Sequence, residues 1–258
     1  MRKFLKILIL TFLGAVTITS CSDDSDGIPG WPWNDNSTEK PDEPDVAEAK
    51  PRYIWIDAAA NFPDYANSKE NIAKDMEKIK AAGFTDIIVD VRPTTGDVLF
   101  NTNVVDQVKR MDVWGNSGYS YYERTETWDY LQAFIEEARI QGLKVNASIN
   151  TFVGGYLCPY NLGHDGVLFR DESKKGWASV ANLADGLTNT MDLLDDETDY
   201  GAKFFNPAND DVQNFVLQLL ADLAKYDLDG INVDFESLSA EAADGYLEFI
   251  RELSCLLY

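Results

Sequence analysis

The sequence is short of the residue types on which metal, thiol and phosphate chemistry depend. Its one histidine, His164, sits in Gly163-His164-Asp165-Gly166 and reads as a turn residue, so no imidazole cluster is available to zinc or iron. Cys21, Cys158 and Cys255 are the only cysteines and define no disulfide framework. Asp195, Glu197 and Asp199 alternate as in a calcium loop, but Tyr200 stands where the turn glycine belongs, and no metal is expected. A glycine-rich phosphate loop is also missing, and no cofactor is expected. Basic residues are scarce: 22 Lys and Arg against 44 Asp and Glu give a net charge of −22, which argues against nucleic acid and anionic membrane surfaces as partners. Neutral polymers and cations remain open. No apolar run is long enough for an ordinary spanning helix.

What is present is a folded chain with a leader. The 258 residues are 45% hydrophobic and 12% aromatic, enough to build one large core. Arg2, Lys3 and Lys6, the apolar run Ile7 to Val16 and the small residues up to Cys21 read as a signal peptide over residues 1–20. Ile18-Thr19-Ser20-Cys21 resembles the lipobox of bacterial lipoproteins, which implies lipidation at Cys21. Ser22-Asp23-Asp24 resembles the export tag of surface lipoproteins in the Bacteroidetes. The expected location is therefore the cell envelope, at the outer-membrane surface, held by a lipid anchor. Residues 21–50 are rich in Asp, Glu, Pro, Ser and Asn and read as an extended acidic tether.

From residue 51 to 258 the pattern alternates between strands and helices. Tyr53 to Ile56 is a strand ending at Asp57; a helix capped by Ser68 carries Ile72, Met76 and Ile79 and stops at Gly83. Asp86 to Val91 is the second strand, with Arg92 at its end, and the helix with Leu131, Phe134, Ile135 and Ala138 follows. Lys144 to Ile149 is the third strand, ending at Asn150, before a helix from about Asn209 with Val212, Phe215, Val216, Leu219 and Leu223. The fourth strand lies in Asp229 to Glu236, before a helix near Ala240. This repetition predicts parallel βα units with ligand sites at the carboxyl ends of the strands. Two insertions, at about 94–127 and 151–208, rise from the same ends and are rich in aromatic residues. Most of those rings are expected to form core for the insertions and a minority to face ligand, where flat amphipathic rings suit sugars.

Asp229-Gly230-Ile231-Asn232-Val233-Asp234-Phe235-Glu236 organises the rest. Alternation sends Asn232, Asp234 and Glu236 to one face of the strand, and two carboxyls at such a place suit glycoside cleavage. The plain alternative is a pair of carboxylates at a helix start, since Ser237 and Ser239 follow. Asp57, Asp90, Arg92 and Asn150 occupy the other strand ends and are the candidate substrate-binding residues, together with Asn232.

Tyr53-Ile54-Trp55-Ile56-Asp57-Ala58, Gly83-Phe84-Thr85-Asp86-Ile87-Ile88-Val89-Asp90-Val91-Arg92-Pro93, Gly96-Asp97-Val98-Leu99-Phe100, Asn146 to Gly155, Phe205-Asn206-Pro207-Ala208 and Tyr226 to Gly230 resemble, in this order, the glycosyl hydrolase-like family 10 domain. That resemblance implies a TIM-type barrel that hydrolyses O-glycosidic bonds. The sequence departs from the family at Asn146, where members carry histidine, and after Asp234, where an arginine and tyrosine are replaced by Phe235-Glu236. The segment around Asp234 instead resembles the fourth strand of glycoside hydrolase family 18, which implies Glu236 as general acid and Asp234 as the group that holds an acetamido substituent. Closer to the first family, Asp234 would be a covalent nucleophile. Only four βα units fit between Arg52 and Tyr258, so the expectation is a truncated half barrel with bare edges on its first and fourth strands. The rival to a hydrolase is a non-catalytic glycan-binding lipoprotein or an inactive fragment.

Overall fold

The computed structural model describes residues 6–8, 50–115, 118–158, 163–178, 201–235 and 242–257. Cys21, Glu236, the calcium-like stretch 195–199 and nearly all of the leader and tether lie outside them, as do the side chains of Cys158 and Cys255. Ten strands are present among the described residues: β1 (Lys6–Leu8), β2 (Tyr53–Ile56), β3 (Asp86–Asp90), β4 (Arg110–Gly115), β5 (Gly118–Glu123), β6 (Lys144–Asn150), β7 (Val153–Cys158), β8 (Gly163–Asp165), β9 (Gly201–Phe204) and β10 (Gly230–Asp234). The helices are α1 (Phe62–Tyr65), α2 (Lys69–Ala81), α3 (Tyr130–Ile140), α4 (Val167–Arg170), α5 (Asp210–Leu223) and α6 (Ala243–Leu257).

All five strands of the main sheet are parallel, in the order β1-β10-β6-β3-β2. The four anticipated strands are β2, β3, β6 and β10, side by side in chain order. Successive crossovers therefore step in one direction, and right-handed connections then place their helices on one face. That face is aliphatic: Ile56, Ile87, Val89, Val145, Ala147, Ile149, Ile231 and Val233 form one core cluster with the inner stripes of α2, α3, α5 and α6. The opposite face carries Trp55, Ile88, Asn146, Ser148 and Asn232, so these strands are two-sided in composition rather than apolar throughout. The outer edge of β10, expected bare, pairs with Lys6–Leu8 of the leader stretch; β2 is the edge strand at the other side.

The helices start where their capping residues dictate. Ser68 Oγ accepts from the Asn71 amide at 3.1 Å and Asp129 Oδ1 from the Gln132 amide at 3.1 Å. Asn209 Oδ1 accepts from Asp211 at 2.9 Å. At the amino ends of the strands, Arg139 bridges to Asp229 Oδ2 at 2.6 Å, and the same oxygen accepts from the Val145 amide at 2.8 Å, which ties β6 to β10.

Both insertions contain sheets of their own. The first folds into the antiparallel hairpin β4–β5, and the second into the antiparallel trio β8-β7-β9. The trio reaches the main body through a contact with no room for a side chain. At Gly166, φ 122°, an added Cβ would overlap the Cα of Gly155 and lie 2.7 Å from Thr95 O and 2.8 Å from Gly154 O. Strain at a positive φ and backbone overlap act together here. Gly166→Ala is therefore expected to lower stability by about 3 kcal/mol, measured as a drop in urea midpoint; a midpoint equal to wild type would mean the contact yields freely.

Candidate active site

Four of the anticipated residues meet at the carboxyl edge of the main sheet. Asp57 and Asp90 each follow one member of the aligned pair Ile56 and Val89, and Asn150 is the direct partner of Asp234 across β6 and β10. Asp90 lies beneath this edge. Its Oδ1 accepts from the Arg92 amide at 3.1 Å and its Oδ2 from the Ala58 amide at 3.4 Å. Solvent still touches part of Asp90, but its carboxyl is enclosed by packed protein. Burial pushes it up to about 7; the Asp57 and Asp234 charges add to the rise, while the two amides restrain it. Asp90 is thus a carboxyl that holds its proton close to neutral pH and senses the charge on Asp234.

Asp57 is exposed, and its Oδ1 accepts from the Ala60 amide at 2.6 Å, closing the turn after β2. Asn232 lies one layer below Asp234, 1% exposed, and donates from Nδ2 to Ser148 Oγ at 3.0 Å. Its Oδ1 and that of Asn150 are buried without a hydrogen-bond partner. Two orphaned acceptors on one sheet face are costly unless a donor arrives from outside.

Arg92, expected to orient substrate hydroxyls, is instead fully buried. Its Nη1 donates to the carbonyls of Asn150 and Thr151 and its Nη2 to that of Val153 at 2.7 Å, while Phe205 and Phe215 flank the guanidinium. Burial drives it down to about 9, with Asp97 and Asp90 opposing. All of its terminal nitrogens serve the turn after β6, so it holds the rim in shape from within.

Three residues with no sequence signal complete the site. Thr151 donates to the Asp234 carbonyl from its amide at 2.8 Å and from its hydroxyl at 2.6 Å, which pins the end of β10. The Tyr130 hydroxyl is buried with no partner, and its pKa is raised by burial first and by the Asp90 charge next. Tyr246 Oη is likewise buried without a partner and is pushed upward by burial and by Asp234. A tyrosine reads as core in a sequence whether or not its hydroxyl is satisfied; only coordinates reveal two buried hydroxyls without partners that feel the charges of Asp90 and Asp234.

The titration of Asp90 carries a testable consequence. Between the ordinary value of 3.8 and about 7 the folded protein retains a proton that the unfolded chain has released, so stability falls as pH rises through that window. Asp90→Asn cannot ionise and loses this dependence. Its melting temperature relative to wild type is expected to climb between about pH 4.5 and pH 8. A wild-type-to-variant difference that is flat over that range would place Asp90 in the ordinary carboxylate range.

A cleft of about 640 Å³ is lined by Asp97, Thr102, Asp106, Arg170 and Lys174 among others, and includes none of Asp57, Asp90 or Asp234. Asp97 is 3% exposed and paired with Arg170; burial raises it to about 6 against the pull of that arginine. Among the described residues no helix is long and apolar enough to cross a membrane, and no three His, Cys, Asp or Glu side chains are grouped to hold a metal.

No family model and no curated protein matches the chain. Among solved structures it is similar to an α-galactosidase from Thermus thermophilus at 15% identity and a TM-score of 0.45, over 81% of this chain and 37% of that one. It is similar to an α-L-fucosidase from Paenibacillus thiaminolyticus at 17% and 0.46, over 81% and 29%. A maltogenic α-amylase from Thermotoga neapolitana gives 15% and 0.46, over 80% and 43%. The chain spans less than half the length of each of these proteins.

Proposed function

We propose that the protein is a glycoside hydrolase whose reaction takes place at the carboxyl edge of the parallel sheet, and that its four βα units are those of a TIM-type barrel. The observation that carries the reading is the convergence of Asp57, Asp90 and Asp234 at one edge, with the Asp90 carboxyl lifted to about 7 partly by the other two charges. Carboxyls whose proton affinities are pushed apart are what glycosidic cleavage needs: one to give a proton, another to remain charged. In this proposal Glu236 protonates the leaving oxygen. Asp234 stays ionised and stabilises the oxocarbenium-like centre or attacks it, and water then completes hydrolysis, returning a proton to Glu236. Asn150, beside Asp234, offers its unpaired Oδ1 to a sugar hydroxyl.

The resemblance to the glycosyl hydrolase-like family 10 domain supports the same class, and the lipobox at Cys21 supports a lipid-anchored enzyme facing polysaccharide outside the cell. The test is release of reducing ends from peptidoglycan, N-glycans and plant glycans by a lipid-free protein starting after Cys21, beside a Glu236→Gln control. Glycan binding with no reducing ends from either protein would favour the non-catalytic reading instead.

A further inference from the structure

The β4–β5 hairpin has two unlike faces. Met111 and Val113, on one side of β4, are 3% and 8% exposed and point into the body. On the other side Trp114 is 72% exposed, its cross-strand partner Tyr119 is 40% exposed and Tyr121, two pairs further on, is 41% exposed. Tyr122, across from Met111, is also 39% exposed and Asp112, across from Tyr121, is 7% exposed, so the division is incomplete, but three rings on one side meet water rather than core. The ring face is also braced. The Tyr121 hydroxyl donates to Glu123 Oε1 at 2.8 Å, and Arg110, on the same face, reaches Asp165 of β8 at 3.4 Å. Bracing of this kind removes the rotamer freedom that an exposed ring would otherwise surrender on binding.

From this arrangement we infer that the outer face of the hairpin, Trp114, Tyr119 and Tyr121, is a binding platform for a neutral oligosaccharide, separate from the carboxyl cluster. Charge selects the occupant. A chain of net charge −22 repels anionic polymers and further copies of itself, and an uncharged ligand meets no such penalty. Shape selects it further: the rings present flat apolar area, with Arg110 and Glu123 at the edge as donor and acceptor for hydroxyls, matching a sugar ring with apolar faces and a polar rim. The hairpin belongs to the insertion that follows β3, the strand that carries Asp90. The inference rests on the glycan reading of that edge and adds a remote hold on polymeric substrate.

The test uses the lipid-free protein and hexasaccharides of β-1,4-linked glucose, N-acetylglucosamine, xylose and mannose, titrated by calorimetry. Trp114→Ala, a change at an exposed position, is expected to weaken binding of the preferred hexasaccharide at least tenfold, and Trp114→Phe to restore most of it. Hydrolysis of a short aryl glycoside is expected to be unchanged in both. Equal binding by wild type and Trp114→Ala overturns the platform, as does absence of binding to every hexasaccharide. Trp114-dependent binding by a protein that releases no reducing ends would uphold the platform and remove the hydrolase reading alone.

Discussion

Asp234→Asn is expected to reduce kcat/KM on the best glycan by about a thousandfold, equivalent to about 4 kcal/mol of transition-state stabilisation, while leaving the fold intact. The substitution keeps size and shape, and the end of β10 is held through its main chain, since Thr151 donates twice to the Asp234 carbonyl rather than to the side chain. What is lost is the negative charge at the sheet edge. The Asp90 carboxyl, part of whose rise comes from that charge, should titrate lower in the variant, so the fall of stability with pH that Asp90 confers shifts to lower pH. Two further measurements separate the roles open to Asp234. Rescue of Asp234→Gly by azide, with a glycosyl azide as product, identifies a nucleophile. A strict requirement for N-acetylated sugars without rescue identifies a group that works through the acetamido substituent. Wild-type turnover in Asp234→Asn would remove this residue from the chemistry.

Arg92→Met is expected to lower stability by about 3 kcal/mol or more, the largest change anticipated for a single side chain in the scaffold. Methionine fills much of the volume between Phe205 and Phe215 but leaves the carbonyls of Asn150, Thr151 and Val153 without their donors, each at about 1–3 kcal/mol when buried. Relief from burying a guanidinium whose pKa is forced down to about 9 offsets part of this. Arg92→Lys should recover only a fraction, because an ammonium lacks the planar fork that reaches separate carbonyls. Chemical denaturation followed by circular dichroism reads both. Limited proteolysis should cut residues 151–178 faster in either variant, and an Arg92→Met midpoint within error of wild type would show the carbonyls finding other donors.

The two outcomes differ in how far they were legible beforehand. The four parallel strands and their helices follow from periodicity and punctuation: Gly83 and Gly142 end α2 and α3 at φ 87° and 66°, and Ser68 and Asn209 cap as anticipated. The hairpin and the three-stranded sheet inside the insertions were not anticipated, because their strands are short and their aromatic residues follow no single period. The rings divide by insertion: Phe152 and Phe205 are fully buried, whereas Trp114, Tyr119, Tyr121 and Tyr122 face solvent. Arg92 defeats sequence reasoning for a plain reason. An arginine at a strand end looks the same whether its fork meets ligand or backbone, and only burial tells them apart. Asp90, by contrast, was found by position, and the structure adds the reason for its unusual proton affinity.

The alternation of side chains across the main sheet also bears on how the chain assembles. Ile87, Val89, Val145, Ala147 and Ile231 lie against helices, while Asp90, Asn146, Ser148 and Asn232 lie on the reverse. Sliding any of these strands by one residue would drive carboxyl and amide groups into the aliphatic layer and strand its valines and isoleucines outside. Misaligned intermediates are therefore rejected during folding by these polar residues, Asp90 and Asn232 of the proposed site among them, so replacing them with apolar ones to harden the protein would erode the fidelity with which its strands find their places.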